Sequence, residues 1–189
     1  NRLEQFIEEM HSYGTKVCCQ LVTGTGRVGG AYPGSELPPA ASDCANFWNP
    51  AAQNRALTVE EIHFLTKSFA NAAVLVKSAG ADAVEVHSGY GGYLLDQFMT
   101  PIWNTRTDEY GGDLEGRMKF PMEIIAATRA ACGDDFPIIF KLGAAHMFEG
   151  GRTLEEGIEI AKYLEKAGVD ALHIDVGCYE AWYNSIPPI

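Results

Sequence analysis

The chain has 189 residues, 47% of them hydrophobic and 21% charged, with a formal net charge of −11 and a pI near 4.8. That composition supports a globular core, and the acidic balance works against a phosphate backbone, which excludes a general nucleic-acid binder. No apolar run approaches the ~18 residues of a membrane-spanning helix, and the opening NRLEQFIEEMH carries no signal-peptide pattern.

The chain opens inside a helix-like segment, Arg2–Tyr13, with Gly14 as its stop and KVCCQLV as the strand that follows. It ends at NSIPPI, and the expectation is a piece of something longer. A stretch of about residues 24–57 then reads as one long loop, containing PGSELPP. Gly24, Gly26 and Gly29 within it have G-x-G-x-x-G spacing, but no helix opens there, so a dinucleotide turn is rejected.

An internal repeat follows. KSAGADAVEVH (77–87) and EKAGVDALHID (165–175) each come after a helix-like segment that starts with a capping box, Thr58 with Glu61 and Thr153 with Glu156. Gly80 and Gly168 stand where a left-handed helix stop is wanted. Between the two copies, residues 117–132 predict a helix with Pro121 near its start, Gly133 as its stop and PIIFKL as the next strand. Helix then strand therefore occurs four times, the pattern of parallel β-structure with right-handed crossovers.

An open doubly wound sheet and a (β/α)8 barrel both have this order. Strand alternation favours the barrel. Val84 and Val86 oppose Glu85 and His87, while Leu172, Ile174 and Val176 oppose His173, Asp175 and Gly177. Gln20 shares a face with Cys18, and Lys141 with Ile139. Each strand has an apolar face for a helix layer and turns polar near its C-terminal end, where barrel active sites lie. Gln20, His87, Lys141 and Asp175 would converge on one pocket able to hold a planar cofactor and polarise a substrate. The alternative is a polar barrel interior with internal pairs such as Lys141–Glu85.

The residues Gln20-Leu21 with Gly26-Arg27, RALTVEEI (55–62), AGADAVEVH and GYLLDQF with NTRTDEYGG resemble the FMN-dependent NADH:flavin oxidoreductases of the old yellow enzyme family. The likeness is greatest to the longer branch of 2-enoate, 2,4-dienoyl-CoA and bile-acid-pathway reductases. It runs through nearly the whole chain, and would place it at about strands three to six of an eight-stranded α/β TIM barrel. The resemblance implies FMN, with NAD(P)H as reductant. Gln20 would meet the flavin pyrimidine edge, and Lys141, where the family usually has Arg, would lie near flavin N1 and O2. His87 would grip the substrate carbonyl or carboxylate, with Tyr90 at the second position of that pair, where the family has Asn or His. Tyr93 would give the proton to the substrate carbon, and Tyr179 would be a second acid or a substrate contact. The implied partner is a small enone, enoate or enoyl thioester.

The rest of the stretch supports these roles. Arg106 and Asp108 are expected to form local ion pairs without a catalytic part, while Phe47 and Trp48 read either as simple packing of the long loop or as lining of the substrate mouth. The glycines of HSGYGGY would let the chain turn across the barrel mouth, with LLDQF as an anchoring helix. Cys18, Cys19, Cys44, Cys132 and Cys178 are odd in number and include no C-x-x-C pair, so neither a disulfide framework nor a metal site is expected. They suit a cytoplasmic protein; a homo-oligomer is compatible with all of this. The 4Fe–4S cluster and FAD of the longer branch are expected only of a full-length parent. Two rival readings are a non-catalytic barrel fragment unable to hold FMN alone, and a barrel lyase or aldolase using Lys141 as a Schiff base.

Overall fold

A computed structural model describes residues 1–30, 37–90 and 93–185. In chain order its elements are α1 (Arg2–Ser12), β1 (Cys18–Leu21), the short strands β2 (Pro39–Ala40), β3 (Cys44–Ala45) and β4 (Gln53–Ala56), then α2 (Val59–Ser78), β5 (Ala83–Ser88), α3 (Leu94–Met99), α4 (Leu114–Cys132), β6 (Ile138–Ala145), α5 (Leu154–Lys166) and β7 (Ala171–Val176). A single 3-10 turn covers Gly26–Val28, and two short 3-10 turns joined by a kink at Ala181 cover Tyr179–Ser185. No described helix is long and apolar enough to cross a membrane.

Strand order decides between the two architectures. The four main strands run β1-β5-β6-β7, all parallel and each beside its chain neighbour. A doubly wound sheet would reverse direction at a switch point. Uninterrupted order with right-handed crossovers puts every helix on one face, which makes this a portion of a (β/α)8 barrel. The segment expected as one long loop is partly structured, because β2, β4 and β3 form a small second sheet. Residues 31–36, which hold most of PGSELPP, lie outside the described residues.

The predicted alternation sets the core. Ile138, Phe140 and Leu142 of β6 and Val84 and Val86 of β5 are fully buried against the helices, together with Ile62, Ile124 and Ile160. The outer face of β7 differs from expectation. Leu172, Ile174 and Val176 are 37%, 54% and 40% exposed, since no described helix follows β7 to cover them.

The repeated AG-x-D has a structural reason. Asp82 accepts the Val17 N–H at 2.8 Å and Asp170 accepts the Ile138 N–H at 2.8 Å, so each carboxylate pins the start of the strand next to its own. Lys16 and Arg129 neutralise them. These contacts hold the Asp82 carboxyl well below the carboxylate range. All four predicted glycine stops take positive φ, from 76° at Gly14 to 94° at Gly80.

Two local expectations need correction. Helix α4 begins at Leu114 rather than 117, because the Asp113 side chain caps it by accepting the Gly116 N–H at 3.0 Å. Pro121 therefore lies inside the helix, where its missing N–H leaves the Arg117 carbonyl without that partner. The box at Thr58 is complete, but Thr153 makes only half of one: its hydroxyl accepts the Glu156 N–H, while the Glu156 carboxylate turns to Arg117 at 2.6 Å.

The anchoring helix α3 is buried along its whole length. The glycine motif rejected as a nucleotide turn serves as its seat. The Gly24 carbonyl accepts the Leu94 N–H at 3.1 Å, and a Cβ on Gly26 would lie 2.2 Å from Gln97 Nε2. At its core end, Asp96 lies 2.6 Å from Arg152 Nη1 and 3.2 Å from His146 Nε2, all three side chains without solvent exposure. The Arg152 backbone N–H donates to His146 Nδ1 at 2.9 Å, which places the imidazole proton on Nε2, facing Asp96. Arg152 also donates to the Gly143 carbonyl at 2.6 Å and to the Thr100 hydroxyl at 2.9 Å. Burial pushes the Asp96 carboxyl up, but Arg152 and His146 outweigh it and hold it low, at about 2.

Replacing Arg152 by Met should destabilise the protein by about 3–5 kcal/mol, the usual cost of stranding one buried charge. Adding Asp96→Asn should recover part of it in chemical denaturation. Because the folded Asp96 titrates below its unfolded value of about 3.9, its stabilisation is complete above that pH and is lost as pH falls toward 2. Wild-type protein should show this acid slope, and Asp96→Asn should show a shallower one, the remainder coming from other lowered carboxylates such as Asp82 and Asp170.

Gly157 lets α5 lie directly on β6, since a Cβ there would stand 2.0 Å from the Ala144 carbonyl oxygen. Gly→Ala in an exposed helix stabilises by about 1 kcal/mol. Gly157→Ala should instead destabilise by about 1–3 kcal/mol, read as a lowered denaturation midpoint.

Candidate active site

The polar side chains meet at the C-terminal strand ends, as the alternation requires. Gln20 is in register with Glu85, His87 with Lys141, and Lys141 with His173. The internal pairing differs from the Lys141–Glu85 alternative. Glu85 instead accepts from Gln20 Nε2 and lies 2.9 Å from His173 Nδ1. Lys141 turns away from it, 3.4 Å from Asp175 and donating to the Tyr90 hydroxyl at 3.1 Å. Burial alone would lower the Lys141 pKa, but Tyr90 and Asp175 raise it above the ordinary lysine value, so the ammonium form persists.

His87 is 7% exposed, and its buried Nδ1 has no hydrogen-bond partner among the described residues. Burial first, and the Lys141 charge second, push its pKa below the usual value. At neutral pH the ring is therefore neutral, with one N–H to donate. The Tyr93 ring lies 4.3 Å from it and the Tyr90 ring 5.8 Å, edge to face.

The turn that presents these rings begins on a non-glycine residue. Tyr90 itself takes φ 66°, a left-handed conformation. Gly91 and Gly92, expected to make the turn, lie outside the described residues. The Tyr90 carbonyl accepts the Tyr179 N–H at 3.2 Å, tying the loop after β7 to the loop after β5. Tyr93 sits at the N-cap position of α3, so the seat of that helix sets its place. Burial, then a hydrogen bond with Tyr93, push the Tyr179 phenol up to about 12.

Phe47 and Trp48 close one side of this group, their rings 5.6 and 5.5 Å from Tyr179. Trp48 is 66% exposed, an open aromatic face at the mouth. Sequence reasoning missed what holds this wall. The nearly buried Arg27 guanidinium lies 4.2 Å from the Trp103 ring centre and 5.1 Å from that of Phe47, and pairs with Glu180 at 2.6 Å. Nothing in the spacing of these residues marks them as neighbours. Asp96 did leave a signal, a lone charge inside the apolar LLDQFM. Arg106 and Asp108 form the expected local pair, with Nε to Oδ1 at 2.9 Å. Arg106 also donates to the Ala41 and Leu57 carbonyls, so it fastens the 104–112 loop to the second sheet. Among the described residues no group of three or more His, Cys, Asp or Glu side chains is placed to hold a metal ion.

The profile of the NADH:flavin oxidoreductase / NADH oxidase family matches residues 1–185. Cinnamate reductase of Clostridium sporogenes is 39% identical over 98% of this chain and 30% of its own length. NADH oxidase of Thermoanaerobacter brockii is 41% identical over 97% of this chain and 28% of its own. The structure of 2-naphthoyl-CoA reductase with 2-naphthoyl-CoA superposes with a TM-score of 0.86 at 32% identity, covering 95% of this chain and 29% of that one. Morphinone reductase in complex with tetrahydroNAD gives 0.75 at 28% identity, over 91% of this chain and 52% of that one. The chain thus spans about 30% of the length of the curated relatives named here. With its parallel strands, its polar strand ends and a family profile matched over residues 1–185, the chain belongs to the NADH:flavin oxidoreductase / NADH oxidase family.

Proposed function

We propose that this site reduces a C=C bond conjugated to a carbonyl or carboxylate, with FMN as the flavin and NAD(P)H as its reductant. The observation that carries the reading is the neutral His87, whose buried Nδ1 is unpartnered and whose ring lies 4.3 Å from that of Tyr93. A polarising donor and a proton donor are thereby held side by side. The donor set fits a flavin: Gln20 offers an amide to the pyrimidine edge, and the Lys141 ammonium suits an anionic ring system. Bound flavin supplies a hydride to the substrate β-carbon.

The chain's own residues do the remainder. His87 and Tyr90 donate to the activating oxygen, which draws electron density from the double bond. Tyr93 releases its phenolic proton to the α-carbon, completing the addition of hydride and proton across the bond. Tyr179, kept protonated, hydrogen-bonds the phenolate left on Tyr93 until solvent restores its proton. Phe47 and the exposed Trp48 offer an aromatic face at the open side that suits a substrate with a flat apolar group. An enone, an enoate or an enoyl thioester all meet these requirements. A 4Fe–4S cluster and FAD, as in the longer branch, would be held by residues other than these.

The Schiff-base reading of Lys141 is disfavoured, because its partners keep the amine protonated and so not nucleophilic. The open outer face of β7 favours a second reading for the isolated 189 residues, a unit that does not hold flavin by itself. In that case flavin fluorescence stays unquenched at micromolar chain while the full-length protein binds it.

Tyr93→Phe in the full-length protein should slow reoxidation by substrate about 10²–10⁴-fold and leave flavin reduction by NAD(P)H unchanged. Stopped-flow measurement of the two half-reactions checks this. Equal loss in both would remove Tyr93 from the proton-donor role.

A further inference from the structure

We infer that Lys141 acts on the substrate through Tyr90, so that His87 and a lysine-polarised Tyr90 form a two-donor pocket for the oxygen that becomes negative during reduction. The inference rests on the ene-reductase reading above and names the groups that stabilise its charge.

Hydrogen-bond inventory supports it. An ammonium has donors and no acceptor, so at 3.1 Å Lys141 Nζ must donate to Tyr90 Oη. The Tyr90 O–H is therefore not spent on lysine and stays available to another acceptor. A hydroxyl that accepts from a cation is a stronger donor, because each bond polarises the next. Asp175, 3.4 Å away, fixes the ammonium from the neighbouring strand. The Lys141 head also lies 4.8 Å from the Tyr90 ring centre, so the ammonium meets the ring as well as the hydroxyl.

The backbone points the same way. Tyr90 holds φ 66°, a conformation that disfavours any side chain and is retained where the surroundings determine it. The Tyr179 N–H on its carbonyl and the Lys141 bond on its hydroxyl fix it at both ends. Its ring stands edge-on to His87, whose buried Nδ1 is unpartnered. The two donors thus come from the end of β5 and the turn that follows it, and the cation behind one of them comes from the next strand. No proton leaves Tyr90: it donates a hydrogen bond that strengthens as charge develops on the oxygen.

The test is a double-mutant cycle in the full-length flavin-loaded enzyme, with Tyr90→Phe, Lys141→Met and the pair. Prereduced enzyme is mixed anaerobically with trans-cinnamate or its methyl ester. Each single variant should lower the saturating reoxidation rate about 10²-fold, with the half-saturating concentration nearly unchanged, because the interaction grows in the transition state. Lys141→Met should slow the Tyr90→Phe enzyme much less than it slows wild type. Flavin affinity, read by fluorescence titration, should be the same for Tyr90→Phe as for wild type. Multiplicative losses in the pair, with every variant kept at saturating flavin, would overturn the inference and assign Lys141 to the flavin alone. If Lys141→Met does not fold, Lys141→Gln takes its place in the same cycle. Wild-type enzyme that neither probe reoxidises would instead bring down the ene-reductase reading, and this inference with it.

Discussion

The site depends on one buried ion pair. Asp96 and Arg152 meet at 2.6 Å with no exposure to water, and Arg152 reaches on to the Gly143 carbonyl. Asp96 belongs to α3, which has Tyr93 at its N-cap, and Gly143 belongs to β6, two residues beyond Lys141. The pair therefore fixes the proton-donor candidate relative to the strand that carries the cation. A charge in that position is costly unless it is hydrogen-bonded, and His146 and Thr100 add bonds to the pair, although the buried Arg152 Nε has no partner among the described residues. The same rigidity holds the Tyr93 ring against His87.

Around that anchor, three loops share the mouth. The turn after β5 supplies Tyr90, the loop after β7 supplies Tyr179, and the segment before β4 supplies Phe47 and Trp48. Arg27 lies between Phe47, Trp103 and Glu180, so a cation stiffens an aromatic wall that would otherwise pack loosely. The polar interior splits into two sets. Glu85 gathers Gln20 and His173, while Lys141 gathers Tyr90 and Asp175. This leaves His87 between them, neutral and with a free ring nitrogen.

Much of the fold was legible because it rests on short-range rules. Period-two alternation placed Val84, Val86, Phe140 and Leu142 toward the helices and His87 and Lys141 toward the interior. The glycine stops and the Thr58 box followed from helix-end chemistry. Where the reading missed, a distant residue had intervened. Glu156 was drawn from its capping role by Arg117, 39 positions away in sequence, and Asp113 began α4 a turn early and so enclosed Pro121. The glycine motif at 24–29 was rightly refused as a nucleotide turn, but its use as a seat for α3 needed the location of Gln97.

By itself, the sequence determined the helix–strand order, the two faces of each strand and the set of polar groups at the strand ends. Those properties are encoded by residues a few positions apart, through periodicity and capping. The tertiary structure alone decided which polar groups are partners: Lys141 with Tyr90 and Asp175 rather than Glu85, and Asp96 with Arg152. Partner choice depends on distances of a few ångströms between strands and loops far apart in the chain. Residues with several chemically suitable partners in the sequence acquire one only when packing fixes those distances.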